Sequence, residues 1–261
     1  MKAISIKTVL AALFAGLITT PSILAAETNF DFSAPPYTAG QTAIGIQGWT
    51  AGVIDSTNNN DAGIITIDGE NLLRVYSTGT TNYRTSLRTS FTKIAGSGPD
   101  KEVWVTINAG WSGFGNQGAI ISLANADYNT PLLLNFTTSK GIAAGTNSLL
   151  SFDDTRNDGS LYQFNIKLNY TTQTFDILFT GTNKSDQPVN TFLQGLDFGS
   201  GVPTNADGLS NLFIANTGGN TKSLYVQSIS ITNVPEPKTV AMLLLGGLLL
   251  LGLQIRKFGC R

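Results

Sequence analysis

The sequence contains no histidine, and its one cysteine, Cys260, is the penultimate residue. A Ser-His-Asp triad, a His-based metal site, a cysteine nucleophile and a disulfide framework are therefore excluded from the body of the chain. Charge is scarce at 13% of residues, so solubility must come from Asn, Thr, Ser and Gly. The charge present has the wrong sign for nucleic acid. Residues 27–234 hold ten Lys and Arg against sixteen Asp and Glu, a net charge of −6, which disfavours a phosphate backbone. The body has no helical stripe, no Pro- or Ser-rich linker and no repeat of fixed period, so a single domain is expected, since halves would have thin cores.

The two ends read differently from the body. Lys2 and Lys7 precede an apolar run from Val9 to Ile18, and Pro21 to Ala26 supply a helix-breaking, small-residue exit. This is the pattern of a signal peptide over residues 1–26, cleaved after Ala25 or Ala26; the apolar run is short for an uncleaved anchor. At the other end, Val240 to Ile255 carry eight leucines and no charge. As a helix they would span roughly 24 Å against a hydrocarbon core of about 30 Å, a marginal single membrane helix. Arg256, Lys257 and Arg261 follow at once, which places that end in the cytoplasm and the body outside. Pro235 and Pro237 remove backbone donors and hold their predecessors extended, so Val234-Pro235-Glu236-Pro237 is a stiff strip of the kind a protease can grip.

This order of a Val-Pro-Glu-Pro motif, a Leu/Gly-rich helix and a basic tail over residues 234–261 resembles the PEP-CTERM sorting signal of bacterial surface proteins. The resemblance implies recognition by exosortase, a membrane-embedded cysteine transpeptidase-like enzyme, with cleavage near the proline motif. It further implies transient membrane anchoring, release to the cell surface or exopolysaccharide matrix, a Gram-negative type envelope and a biofilm-forming lifestyle. Phe258-Gly259-Cys260 splits the basic cluster, a mild departure from the family pattern. The competing reading is an ordinary anchored protein, which would keep its last residues.

The body, residues 27–233, is read by alternation. Val103, Val105 and Ile107 share one face of Glu102 to Asn108; Phe164, Ile166 and Leu168 repeat the pattern, and Phe175, Ile177 and Phe179 repeat it again after Tyr170-Thr-Thr-Gln173. Tyr162 to Thr180 is therefore an expected antiparallel hairpin. Further strands are expected at 64–68, 72–77, 84–91, 119–123, 132–136, 212–215 and 224–232. A dozen short strands separated by Gly, Asn, Asp and Ser turns predict an all-β, two-sheet antiparallel β-sandwich. Phe30-Asp-Phe32 is expected beside Leu224 to Thr232. Phe30-Asp-Phe32, Tyr37-Thr-Ala-Gly40 and Gln47-Gly48-Trp49 are also similar to the start of PEP-CTERM proteins with concanavalin A-like (laminin G-like) jelly rolls. That resemblance implies carbohydrate as a partner without deciding the chemistry.

Glycoside cleavage commonly needs two positioned carboxyl groups, one of them kept protonated. The body has only Glu27, Glu70 and Glu102, and the densest acids, Asp153, Asp154 and Asp158, read as a turn. No catalytic residue is assigned; a surface polysaccharide-active enzyme, glycosidase or lyase, is the alternative to a structural or glycan-binding protein. Trp111 and Phe114, set among glycines, either form an exposed sugar-stacking platform or fold back to plug the sandwich end. Trp49 and Trp104 read as core. No cofactor is assigned. Asp55 to Asp61 gather the hard oxygen ligands Ca²⁺ prefers, but the spacing is not that of an EF-hand and a solvated loop competes.

Overall fold

A computed structural model describes residues 26–51, 62–77, 85–112, 118–137, 139, 141–156, 158–199, 202–216 and 222–233. Of the segment read as signal peptide, 1–26, all but Ala26 lies outside the described residues, as do the sorting signal, 234–261, and Asp55, Asp61 and Phe114. In chain order the strands are β1 (Glu27–Asp31), β2 (Thr50–Ala51), β3 (Ala62–Ile67), β4 (Glu70–Ser77), β5 (Thr85–Ala95), β6 (Glu102–Ser112), β7 (Ala119–Ala124) and β8 (Leu132–Thr137). They continue with β9 (Gly141–Ala144), β10 (Asn147–Leu150), β11 (Asp158–Asn169), β12 (Thr174–Thr182), β13 (Pro188–Asp197), β14 (Gly208–Asn216) and β15 (Lys222–Thr232). The described residues hold one short 3₁₀ turn, Ile46–Gly48, and no α-helix.

The alternation read from the sequence decides which way each strand faces. Val103, Val105, Ile107, Ala109 and Trp111 of β6 are buried, as are Tyr162, Phe164, Ile166 and Leu168 of β11 and Phe175, Ile177 and Phe179 of β12. Turn chemistry then joins them. Asp68-Gly69, both at positive φ, close the β3–β4 hairpin, as two-residue hairpins with the right-handed strand twist require. Asn169 Oδ1 accepts the backbone N–H of Thr171 and of Thr172, each at 3.0 Å, to shape the β11–β12 turn.

An eight-stranded antiparallel sheet runs β13-β12-β11-β6-β15-β4-β3, with β1 paired to β15 beside β4; a seven-stranded sheet runs β10-β9-β8-β7-β14-β5-β2. Their inner faces pack together, as where Phe136 of β8 meets Phe164 of β11 edge-on at 6.0 Å. Each large apolar side chain buried there contributes about 1.5–3 kcal/mol. A second aromatic group gathers under the first strand: Phe30 and Phe32 contact Trp49, whose Nε1 donates to the Tyr37 hydroxyl at 3.0 Å, which donates in turn to Gln47 Oε1 at 2.8 Å.

The expected pairing of the first and last strands is present in full register, Glu27 opposite Thr232 through Asp31 opposite Ser228. Ala26 N–H donates to Asn233 Oδ1 at 3.1 Å, Asn233 N–H returns to the Ala26 carbonyl at 3.3 Å, and the Ser97 hydroxyl donates to the Asn233 carbonyl. Both ends of the body therefore leave from one corner. One long strand was not expected. In β13 a register shift near Gly195, at φ 63, interrupts the alternation of Val189, Thr191 and Leu193 before Leu196, so the segment has no clean period of two.

Candidate functional site

Cross-strand register turns the outward side chains of the eight-stranded sheet into rows perpendicular to the strands. One row runs Asn190, Thr180, Gln163, Asn108, Ser228, Asp31 from β13 to β1. Beside it runs Phe192, Leu178, Asn165, Thr106, Ser230, Asn29. With strands about 4.8 Å apart, the rows extend roughly 24 Å. Only Asp31, at one end, is charged.

The rows are tied together sideways. Thr106 Oγ1 donates to Asn165 Oδ1 at 3.3 Å, Asn165 Nδ2 to Gln163 Oε1 at 3.3 Å, and Asn108 Nδ2 to Ser228 Oγ at 2.9 Å. These bonds orient the amides while leaving further donor and acceptor capacity outward. A third row carries Asp176, Lys167 and Trp104. Lys167 Nζ lies 3.1 Å from Asp176 Oδ2 and 3.6 Å from Glu102 Oε1, and hydrogen bonding to Asp176 is the main cause that raises its pKa. Its charge is thus neutralised locally.

Phe192 is 55% exposed at the β13 end of this face. A second exposed ring, Tyr128 at 65%, stands on the loop between β7 and β8, near a cleft of about 580 Å³ lined by Thr130, Leu133, Asn147, Leu196, Asp197 and Phe198 among others. The Asn125 side chain accepts the N–H of Asp127 and of Asn129, each at 3.0 Å, and holds Tyr128 at φ 61.

The expected platform is not where these rings are. Trp111 is fully buried and packs 6.2 Å from Phe152, so it offers no ring face to a sugar. The plug reading of Trp111 fits the burial, and the stacking reading does not; Phe114 lies outside the described residues. Trp49 is in the core as expected, but Trp104 is not. It stands half-buried on the outer face with Nε1 unpaired among the described residues. Its position was legible, because Val103 and Val105 point inward and Trp104 lies between them. Phe192 carried no comparable signal, since β13 has no clean alternation.

The acids around residue 155 form a structural knot. Ser151 Oγ donates to Asp154 Oδ2 at 2.7 Å. Arg156 pairs with Asp158 at 3.1 Å and with Asp186 at 2.5 Å. Burial pushes the Asp158 pKa up, but hydrogen bonds from Ser160 and Arg156 outweigh it and hold the carboxyl below its usual range. That is the reverse of what a general acid needs. Among the described residues no group of three or more His, Cys, Asp or Glu could hold a metal ion. No helix among them is long and apolar enough to cross a membrane.

No protein-family model matches this chain, and no curated protein matches it. Among solved structures, it is similar to peanut lectin at 10% identity and a TM-score of 0.48, over 80% of this chain and 97% of that one. It is similar to lectin II from Ulex europaeus at 14% identity and 0.48, over 80% and 99%. A sialidase matches at 10% identity and 0.49, over 78% of this chain and 18% of its own. At that level of likeness nothing follows for ligand or chemistry, and the sandwich architecture rests on the strand pairing described above.

Proposed function

We propose that this chain is an exported, non-catalytic β-sandwich protein that binds polysaccharide across the outer face of its eight-stranded sheet. The observation that carries this reading is the pair of rows, mostly amide and hydroxyl side chains with Leu178 among them and Asp31 as their one charge, beside the exposed ring of Phe192. Sugars offer hydroxyls that both donate and accept, and apolar C–H faces that stack on aromatic rings. A ladder with a single charge at one end and an exposed ring at the other meets both needs. The non-catalytic reading is supported by the absence of histidine and by the ion pairing of Asp158 and Asp186 with Arg156.

In the same proposal, residues 1–26 direct export, residues 240–255 hold the chain briefly in the inner membrane, and exosortase cuts near Val234-Pro235-Glu236-Pro237. The body then passes to the cell surface or exopolysaccharide matrix. Supporting this is the order of motif, apolar run and basic residues, and the end of β15 at Thr232, just before the motif.

Two measurements test the proposal. The purified protein, incubated with the host's own exopolysaccharide, is expected to be retained without release of reducing ends or unsaturated products. Turnover would make it an enzyme, and no retention would remove the glycan-binding reading. For sorting, the intact mass of the mature protein should lack the last twenty-odd residues when exosortase is present and keep them when it is deleted. Full-length chain with Cys260 on the extracellular product would sink that part.

A further inference from the structure

We infer that Arg74 and Tyr225 form a subsite for an acidic sugar at one end of this face, so that the polymer bound is a heteropolysaccharide of mostly neutral units carrying a uronic acid at intervals. This rests on the glycan-binding reading above and assigns the chemical class of its ligand.

The subsite lies beside the row of Asn108 and Gln163. Tyr225 of β15 sits directly opposite Arg74 of β4 on one side and Gly110 of β6 on the other. Gly110 leaves no side chain there, and a Cβ would lie 2.2 Å from the Ser160 carbonyl oxygen. The Tyr225 ring reaches Gly159 on β11, where an added Cβ would stand 3.1 Å from Cε2. Ser112 Oγ donates to the Tyr225 hydroxyl at 3.2 Å. The ring is thus held at both ends, by β11 backbone and by Ser112, on the outer face where Tyr225 is half-buried, and a held, half-exposed ring is what sugar stacking needs.

Arg74 supplies the charge. Its guanidinium lies 5.1 Å from the centroid of the Tyr76 ring, a contact that orients the planar head. On its far side, Arg74 faces Gly63 of β3, which adds no side chain there. Arg74 Nε is buried without a hydrogen-bond partner, and the side chain makes no ion pair among the described residues. Lys167 on the same face is paired with Glu102 and Asp176, whereas Arg74 has no such carboxylate partner among the described residues. A guanidinium fork matches a carboxylate in geometry and charge. One such fork beside rows of neutral amides, on a body of net charge −6, selects a chain with sparse acids over a dense polyanion.

The test is calorimetric titration of the full chain with three probes: hyaluronan oligosaccharides, in which glucuronate alternates with a neutral sugar; the same polymer with its carboxyls reduced to alcohols; and the reduced polymer bearing sulfate esters. Hyaluronan is expected to bind at least tenfold more tightly than the reduced form. Arg74→Ala should abolish that preference, Arg74→Lys should restore only part of it, and Tyr225→Leu should weaken both probes, with thermal melts confirming that each variant is folded. Equal binding of hyaluronan and its reduced form would overturn the subsite and leave the glycan-binding face standing. Preference for the sulfated polymer over hyaluronan would overturn the uronate assignment. Binding of no probe at all would remove the face and the subsite together.

Discussion

The two sheets share one interior, yet their outer faces differ in how their polar groups are used. On the eight-stranded sheet, Asn108, Gln163, Asn165 and Ser228 stand at least partly exposed and bond chiefly to one another. On the seven-stranded sheet, the outward Ser86, Ser122, Ala143, Asn211 and Ala215 are buried, while Arg88 is exposed and Phe213 and Leu133 are half-buried. The loop after β7 lies over part of this face. Asn211 Nδ2 donates to the Asn125 carbonyl at 2.6 Å, and the Ser122 and Thr130 hydroxyls pair at 3.2 Å. Where a loop of the same chain covers a face, it takes up the hydrogen bonds of that face. The open face keeps capacity for a ligand.

The largest expected effect separates interior from exterior on one strand. Trp111→Ala should cost about 3–5 kcal/mol by urea unfolding, because it removes a fully buried ring. Trp104→Ala, on the open face, should cost about 1 kcal/mol or less. Similar losses for both would erase the inside–outside distinction.

Alkaline pH probes the interior next. Burial raises the Tyr37 phenol, partly opposed by the bond from Trp49, to about 12, and burial also raises Tyr162 and Tyr170. The folded state therefore keeps protons that the unfolded chain gives up near pH 10. Stability should be fully present below pH 10 and fall between about 10 and 12. Denaturant midpoints measured across that window should drop, less steeply in Tyr37→Phe.

The smallest effects compare the outer faces directly. Asn211→Ala, on the covered face, should cost about 1–3 kcal/mol by stranding its buried partners. Asn108→Ala, on the open face, should change stability by about 0.5 kcal/mol or less while weakening polysaccharide retention. If Asn108 proved the costlier of the two, the open face would be a structural surface and not a binding one.

How much of this was legible depends on parity. Trp104 and Trp111 lie an odd number of positions apart on β6, so they must point to opposite faces. The inward Val103, Val105 and Ile107 already fixed Trp111 inside and Trp104 outside. Expecting Trp104 in the core gave the size of the ring more weight than its position. Pairing of the first and last strands was readable too, from Phe30-Asp-Phe32 and the alternation ahead of Val234. β13 was not, because the irregularity at Gly195 destroys the local period, and with it went Phe192. Arg74 and Tyr225 have no shared signal in the sequence, being far apart along it.

From the sequence alone came the excluded chemistries, the all-β class and the face on which most side chains lie, because strand alternation is a local property of the pleated backbone. Tertiary structure alone decided which strands became neighbours, and so brought Asn108 within 2.9 Å of Ser228, 120 positions away, and set Arg74 beside Tyr225. Strand order depends on long-range pairing and on burial shared among many segments, and no single segment encodes it.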